Sequence, residues 1–182
     1  DRLQHLDVPF VFANYRYTDQ SMQRELGTAL PRSASISMPC GPFIEQHLWA
    51  VGFIGACVVR KTSWNATTPA PYHGTYYTHV GRIAEMLASQ ADVTLVSEPC
   101  VCNRVEGDDV FTWKEDSYGV FFGFVAMCRR VGERIPALAD SMARAAAAME
   151  RRHRWLSLRV ALRLRSENAF DRAQYDKYLR HW

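Results

Sequence analysis

Val8-Pro9-Phe10-Val11-Phe12-Ala13 is a short apolar run that ends at Asn14, and it predicts a buried β-strand near the start of the chain. A second run, Phe53-Ile54-Gly55-Ala56-Cys57-Val58-Val59, is almost continuously apolar and ends at a basic pair. Strands that are buried on both faces of a sheet have this composition, so the second run predicts a central strand.

Helical segments separate and follow these strands. Apolar residues recur at a helical period over residues 77–89, and residues 93–96 predict a third strand, broken at Pro99 and continued in parallel near Val101. Further helices are predicted over residues 19–30, 43–49, 117–131, 136–153, 154–166 and 170–180. Strands alternate with helices early and helices alone follow, which favours an α/β fold.

Length and composition limit the domain organisation. The 182 residues suit one packed domain better than two, and we expect an α/β part over residues 1–116 with a helical basic extension over 117–182. The five cysteines show no metal-ligand spacing, which favours a reducing cytoplasm. Because the chain starts at Asp1 and runs almost directly into a strand, we expect it to be cut from a longer protein.

The net charge of +3 is unevenly distributed. Residues 129–182 contain thirteen Arg or Lys and six Asp or Glu, whereas the preceding residues contain nine and thirteen. A basic segment on a mildly acidic body indicates an anionic partner such as a phospholipid, a phosphate-bearing lipid or a nucleic acid. No nucleic-acid-binding motif accompanies the charge, so nucleic acid is not an expected partner.

Three blocks of sequence carry a likeness to a known family. They are Gly52-Phe53-Ile54-Gly55-Ala56-Cys57-Val58-Val59-Arg60-Lys61-Thr62-Ser63-Trp64, Tyr72-His73-Gly74-Thr75-Tyr76-Tyr77-Thr78-His79-Val80-Gly81-Arg82-Ile83, and Val96-Ser97-Glu98-Pro99-Cys100-Val101-Cys102-Asn103-Arg104 with Asp108 and Trp113 downstream. In order and spacing they resemble the second half of the family 2 glycosyltransferases. The closest members are the abequosyl- and rhamnosyltransferase-like enzymes that build bacterial surface polysaccharides.

The resemblance implies a partial GT-A-like (Rossmann-like) sheet. It also implies inverting transfer of a sugar from a nucleotide-sugar donor to a lipid-linked or polysaccharide acceptor. The family's Mg²⁺ or Mn²⁺ is held by an Asp-x-Asp motif that this chain lacks, so no metal ligand is predicted here. We expect the donor-binding half to lie in a missing N-terminal part or in a second chain. The main alternative is a non-catalytic module that keeps this fold and binds a glycan or a membrane.

His79 is the candidate catalytic base. Inverting transfer needs a group that accepts the proton of the acceptor hydroxyl, and a neutral imidazole can do this near pH 7. Most family members have a Glu-Asp pair where this chain has Thr78-His79. The positive end of the helix dipole would disfavour protonation of His79. The alternative is a structural histidine, hydrogen-bonded beneath the loop.

The residues around His79 predict an acceptor-binding surface. Tyrosine and histidine side chains beside a glycine can stack on sugars and hydrogen-bond to their hydroxyls, and an arginine one helical turn beyond His79 can contact a phosphate. The candidates are Tyr72, His73, Tyr76, Tyr77 and Arg82. The alternative is that the tyrosines are packed in the core and that the arginine is an ordinary exposed helix residue.

Two further groups of residues are candidates for binding. By the resemblance, Arg104 and Trp113 contact the donor phosphate and its sugar or base, across a polar loop whose aspartates, 108 and 109, suit turn positions.

Residues 151–165 predict a basic amphipathic helix, typical of a membrane interface. Its candidate membrane-binding residues are Arg152, Trp155, Arg159 and Arg163. We therefore expect a cytoplasmic protein, peripheral at the inner face of the cell membrane; the alternative is that this helix packs its apolar stripe on the body.

Overall fold

The computed structural model describes residues 8–32, 37–105, 117–154, 157–166 and 170–179. Within these ranges the sheet contains β1 Phe10–Thr18, β2 Glu25–Thr28, β3 Ser37–Pro39, β4 Cys57–Val59 and β5 Asp92–Arg104. The α-helices are α1 Cys40–His47, α2 Lys61–Ala66, α3 Thr78–Leu87, α4 Ser117–Arg134, α5 Ala139–His153, α6 Leu158–Ser166 and α7 Arg172–Leu179. The mixed α/β class predicted from the sequence is confirmed.

β1 is the strand around which the sheet is built. β5 runs parallel to β1 along one edge, and β3 pairs antiparallel with the far edge of β5. On the other edge, β4 lies antiparallel to Phe10–Phe12 and β2 lies antiparallel to the end of the strand, at Arg16–Thr18. The apolar run that opens the chain therefore forms a strand with partners on both edges.

Asn14 is a fully buried polar residue in the middle of β1. Its Nδ2 donates to the carbonyl oxygens of Leu30 (2.9 Å) and Ser97 (2.7 Å), and its Oδ1 accepts from the amides of Tyr15 (3.0 Å) and Leu30 (2.9 Å). The β1–β5 register changes at this point, because Ala13 faces Val96 whereas Tyr15 faces Val101. β5 thus bulges around Pro99, where the sequence predicted a break, and then continues parallel to β1.

The helix predicted over residues 19–30 is not formed. Asp19 instead closes a turn: its carboxylate accepts hydrogen bonds from the amides of Gln23 (3.0 Å) and Arg24 (3.1 Å) and from the Ser21 hydroxyl (2.9 Å). Met22 adopts a left-handed backbone with φ of 60°. Local bonds from an aspartate to the backbone compete with helix formation, and here they connect β1 to β2.

The central strand predicted over residues 53–59 is also different in the structure. Ile54–Ala56 forms a 3₁₀ turn, and only Cys57–Val59 is extended, as β4. Among the described strands, β4 pairs with β1 alone, so it lies at an edge of the sheet. Ile54 and Val58 are accordingly exposed, at 62% and 45% of their surface.

A single main core joins the sheet to the helices. The ring of Phe43 on α1 makes edge-to-face contacts with Phe10 and Phe12 on β1, at centroid distances of 6.4 and 5.8 Å. The same cluster of buried residues includes Phe124 on α4 and Met142 on α5. Of the helices that follow residue 116, α4 and α5 therefore pack against the α/β part, whereas α6 and α7 pack on α4 in a second cluster around Tyr118, Phe121 and Phe122. The predicted positions of these helices are confirmed with shifts of a few residues at their ends.

We predict that Asn14→Ala lowers the free energy of unfolding by about 3 kcal/mol or more, because several buried backbone groups lose their partner at once. Urea denaturation at pH 7 measures this change. Asn65→Ala is the matched control, since Asn65 is exposed on α2 and its loss should cost less than about 0.5 kcal/mol. Equal effects of the two substitutions would contradict the role assigned to Asn14.

Candidate functional site

The turn before α3 is shaped by two threonine hydroxyls. Thr75 Oγ1 donates to the carbonyl of Tyr72 (2.9 Å) and accepts from the amide of Tyr77 (3.2 Å). Thr78 Oγ1 donates to the same Tyr72 carbonyl at 3.2 Å. Gly74 has φ of 78°, a left-handed conformation that glycine adopts without strain. These contacts place His79 in the first turn of α3.

The His79 imidazole is oriented by two backbone carbonyls. Its Nε2 lies 3.2 Å from the carbonyl oxygens of both Val51 and Gly52. Carbonyl oxygens only accept hydrogen bonds, so Nε2 carries the proton and the neutral ring presents an unprotonated Nδ1. Nδ1 forms no hydrogen bond with the residues described. The ring is half-buried, and its contact with the 48–52 turn is the structural role that the sequence left open as an alternative.

Burial lowers the pKa of His79, and this effect outweighs the opposing effect of the two carbonyls, which favour the protonated ring. The positive end of the α3 dipole acts in the same direction as burial. The imidazole is therefore neutral at neutral pH. In chemical terms, the site offers an oriented base whose free nitrogen is Nδ1.

Two of the predicted sugar-binding tyrosines are buried in the core, unlike the exposed surface that the sequence suggested. Tyr72 is fully buried, its ring packs on Gly81, and its hydroxyl donates to Glu85 at 2.7 Å. Tyr77 is buried against Phe124, with ring centroids 5.2 Å apart. Burial leaves neither ring face available for stacking on a sugar.

His73 and Tyr76 lie at the surface of the same turn, and Tyr76 is 57% exposed. The turn is fastened to α4, because Arg130 donates to the carbonyl oxygens of Pro71 (3.1 Å) and His73 (2.9 Å). The predicted acceptor surface is thus reduced to two exposed rings on an anchored turn.

Arg82 is held by contacts within the protein. Its Nε donates to Thr67 Oγ1 at 2.9 Å, and its guanidinium donates to the Trp64 carbonyl at 2.6 Å. The guanidinium carbon also lies 3.6 Å from the centre of the Trp64 ring, a cation–π contact. Arg82 therefore joins α2 to α3, and these contacts account for its position without a ligand.

Of the predicted donor-side residues, the structure describes Arg104. Arg104 is exposed at the end of β5 and faces Thr18 in the β1–β5 register. Trp113, Asp108 and Asp109 lie outside the described residues. Across the described ranges, no three His, Cys, Asp or Glu side chains are grouped as metal ligands.

The predicted membrane-binding arginines are brought together. Arg152 near the end of α5 and Arg159 and Arg163 on α6 line one cavity of about 560 Å³. Trp155 lies outside the described residues. The leucines at positions 158 and 162 are exposed, at 74% and 55%. α6 nevertheless packs an apolar face on α4, as the alternative proposed, but through Val160 and Leu164.

Sequence reasoning missed four other residues that line this cavity, His153, Arg154, Ser157 and Val160. Arg154 ends α5 in a left-handed conformation with φ of 50°. A non-glycine residue in this conformation is uncommon, and nothing local in the sequence marks it. The composition of residues 151–165 was the available signal, but it did not predict a concave site.

Comparison of the chain with protein-family models, curated proteins and solved structures finds no match. In the described part of the chain, no helix is long and apolar enough to cross a membrane.

The packing of Tyr72 on α3 gives a prediction for Gly81. A Cβ at Gly81 would lie 2.6 Å from the Tyr72 ring, so Gly81→Ala should lower the free energy of unfolding even though alanine favours helix by about 1 kcal/mol. Gly123 on α4 is the control, since a Cβ there meets its nearest atom at 3.5 Å. Gly123→Ala should be neutral or stabilising in the same thermal denaturation experiment. A stabilising Gly81→Ala would contradict this packing.

The lowered pKa of His79 predicts a dependence of stability on pH. In the unfolded chain a histidine has a pKa of about 6.5. The contribution of the neutral His79 ring to the free energy of unfolding is therefore complete above about pH 6.5. It is lost as pH falls through the lower pKa of His79 in the folded protein. Urea denaturation at about pH 7.5 and pH 5 should show a weaker decline for His79→Gln than for the unsubstituted protein. Some decline will remain, because burial and repulsion from Arg152 also lower the pKa of His47. An unchanged decline would refute this assignment.

Proposed function

We propose that this chain forms the acceptor-side half of an inverting glycosyltransferase that moves a sugar from a nucleotide-sugar donor to a lipid-linked or polysaccharide acceptor. The observation that carries the proposal is the state of His79. Its Nε2 proton is engaged by two carbonyls, its pKa is lowered, and its Nδ1 remains as the basic atom. An orienting acceptor on one ring nitrogen and a free second nitrogen is the arrangement of a general base.

The proposed reaction uses His79 at one step. Nδ1 accepts the proton of the acceptor hydroxyl while that oxygen forms a bond to the anomeric carbon of the donor sugar. The bond between the anomeric carbon and the diphosphate oxygen breaks on the opposite side, and the diphosphate leaves with the electron pair. The imidazolium then returns its proton to solvent. Because burial disfavours the charged ring, this return is favourable.

The remaining parts of the proposal follow from the sequence resemblance. His73 and Tyr76, exposed on the turn before α3, are proposed to contact the acceptor. Arg104, with Trp113, is proposed to contact the donor. Mg²⁺ or Mn²⁺ would neutralise the departing diphosphate, and its ligands are assigned to polypeptide outside this chain.

We predict that His79→Gln in the whole naturally encoded protein lowers turnover by about 100-fold or more, the usual contribution of a general base. Glutamine can still donate an N–H to the carbonyls of Val51 and Gly52 but has no basic nitrogen. The assay measures nucleoside diphosphate released from a panel of UDP-, GDP-, dTDP- and CDP-sugars, with a membrane lipid extract as acceptor. His79→Ala should lose both turnover and stability.

The two variants distinguish a catalytic role of His79 from a structural one. If His79→Gln turns over like the unsubstituted protein, His79 is not the base. If only the alanine variant is impaired, and in proportion to its loss of folded protein, His79 has a structural role alone.

A second candidate function is a non-catalytic module that binds an anionic membrane or glycan. The observation that favours it is the arginine-lined cavity between α5 and α6. Absence of turnover from every donor in the panel, with membrane binding retained by the folded protein, would favour this module over a transferase.

A further inference from the structure

The cavity lies at the junction of α5 and α6. α5 ends at His153, Arg154 has a left-handed backbone, and α6 begins at Leu158. The cavity of about 560 Å³ is lined by Arg152, His153, Arg154, Ser157, Arg159, Val160 and Arg163. We call this feature the arginine cleft.

The arginine cleft concentrates positive charge. Four of its seven described lining residues are arginines, and none of the seven is acidic. An arginine side chain stays charged throughout the physiological pH range. The C-terminal end of α5 contributes a partial negative charge of about half a unit. Arg163 also has a contact within the protein, and together these do not cancel the charge of four guanidinium groups. The cleft therefore favours an anion.

Two contacts hold the cleft in shape. The guanidinium carbon of Arg152 lies 3.9 Å from the centre of the Trp49 ring, which fixes that side chain without neutralising its charge. At the other side, Ser157 Oγ accepts from the amide of Val160 at 3.4 Å, and Ser157 and Val160 both line the cleft. The N-terminal end of α6, which carries partial positive charge, thus lies at the same cavity as the arginines.

The size and chemistry of the cleft indicate a phosphate group. Guanidinium groups bind phosphate oxygens through paired, charge-assisted hydrogen bonds. The volume lies within the usual range of ligand pockets, roughly 300–1,000 Å³, and exceeds the needs of one inorganic anion. A phosphorylated headgroup or a diphosphate therefore fits better than a simple ion.

The surroundings of the cleft indicate that the phosphate belongs to a lipid. Leu158 and Leu162 are 74% and 55% exposed, and they lie one helical turn apart on α6. Each is followed directly by an arginine that lines the cleft. Exposed leucines beside arginines are typical of helices that lie at the membrane interface, with the leucines among the acyl chains and the arginines at the headgroups.

We propose that the arginine cleft binds the phosphate headgroup of a membrane lipid, with Arg159 and Arg163 on the phosphate and Leu158 and Leu162 in the adjoining acyl layer. This is a defined site for one headgroup, in contrast to a diffuse attraction of a basic surface to a charged membrane. It does not rest on sugar transfer, so it can hold or fail independently of the proposed catalytic function.

The test is co-sedimentation of the full chain with phosphatidylcholine vesicles that contain phosphatidic acid or phosphatidylserine, adjusted to equal surface charge. The cleft predicts at least about fivefold tighter binding to the exposed phosphate monoester of phosphatidic acid. Arg159→Gln with Arg163→Gln should weaken that binding by about 30-fold, from about 1 kcal/mol for each arginine near a membrane surface.

The matched control removes two charges elsewhere. Arg129→Gln with Arg172→Gln alters exposed arginines that pair with Glu133 and Asp176 outside the cleft, and should change binding by less than about threefold. Circular dichroism confirms that each variant is folded. Equal losses in the two double variants, or equal binding to both anionic lipids, would overturn the proposal and leave only general charge attraction.

The source of the phosphate is tested separately with sodium pyrophosphate in isothermal titration calorimetry. Leu158→Ser with Leu162→Ser should weaken vesicle binding by about tenfold or more while leaving the titration unchanged, because the leucines contact only the lipid. If pyrophosphate binds and the vesicles do not, the lipid assignment is wrong and the cleft serves a soluble phosphate compound.

Discussion

The buried amide of Asn14 is the interaction on which the rest of this structure depends. A polar side chain without water must satisfy its hydrogen bonds inside the protein, and Asn14 does so by joining three segments: β1 itself, the backbone at Leu30 and the bulge of β5 at Ser97. The bulge contains Pro99, which has no amide to donate to a neighbouring strand. The Asn14 amide therefore stabilises the one point at which regular pairing of β1 with β5 is interrupted, and parallel pairing resumes beyond it.

The same strand positions His79 through a short chain of contacts. Tyr15, next to Asn14, packs its ring against Phe53 with centroids 4.8 Å apart, and its hydroxyl lies 3.4 Å from the Ala50 carbonyl. These contacts fix the turn whose carbonyls, at Val51 and Gly52, hold the imidazole. The orientation of His79 is thus a property of the sheet as well as of α3. A local sequence motif cannot specify it, because the partners of the imidazole lie 27 and 28 residues away.

The sequence predicted the elements whose conformation depends on neighbouring residues. It was less informative for segments whose conformation depends on contacts with residues far away in the chain. The helical period over residues 77–89 gave α3 nearly as it is, whereas the apolar run at the start of the first strand predicted an end at Asn14 and β1 continues to Thr18. The segment over 19–30 has helix-forming composition, but hydrogen bonds from Asp19 select a turn. The burial of Tyr72 could not be predicted for a different reason. Its hydroxyl bonds to Glu85, and Glu85 is itself paired with Arg134, 49 residues further on. In the same way, amphipathic spacing identified the arginines of α6 but not the left-handed Arg154 or the cavity that these residues line together.

The two candidate sites share one structural support, the Leu48–Gly52 turn. On one side, its last two carbonyls receive the Nε2 proton of His79, and on the other, the Trp49 ring lies beneath the guanidinium of Arg152. Trp49 is in turn held by a 3.1 Å hydrogen bond from its Nε1 to the Gln46 carbonyl at the end of α1. A change in this turn therefore acts on His79 and on the arginine cleft together. Residues with a common support are not energetically independent. Evidence that the sites are separate must come from substitutions on α6, such as Arg159→Gln and Arg163→Gln, which change no residue of this turn and no partner of its carbonyls.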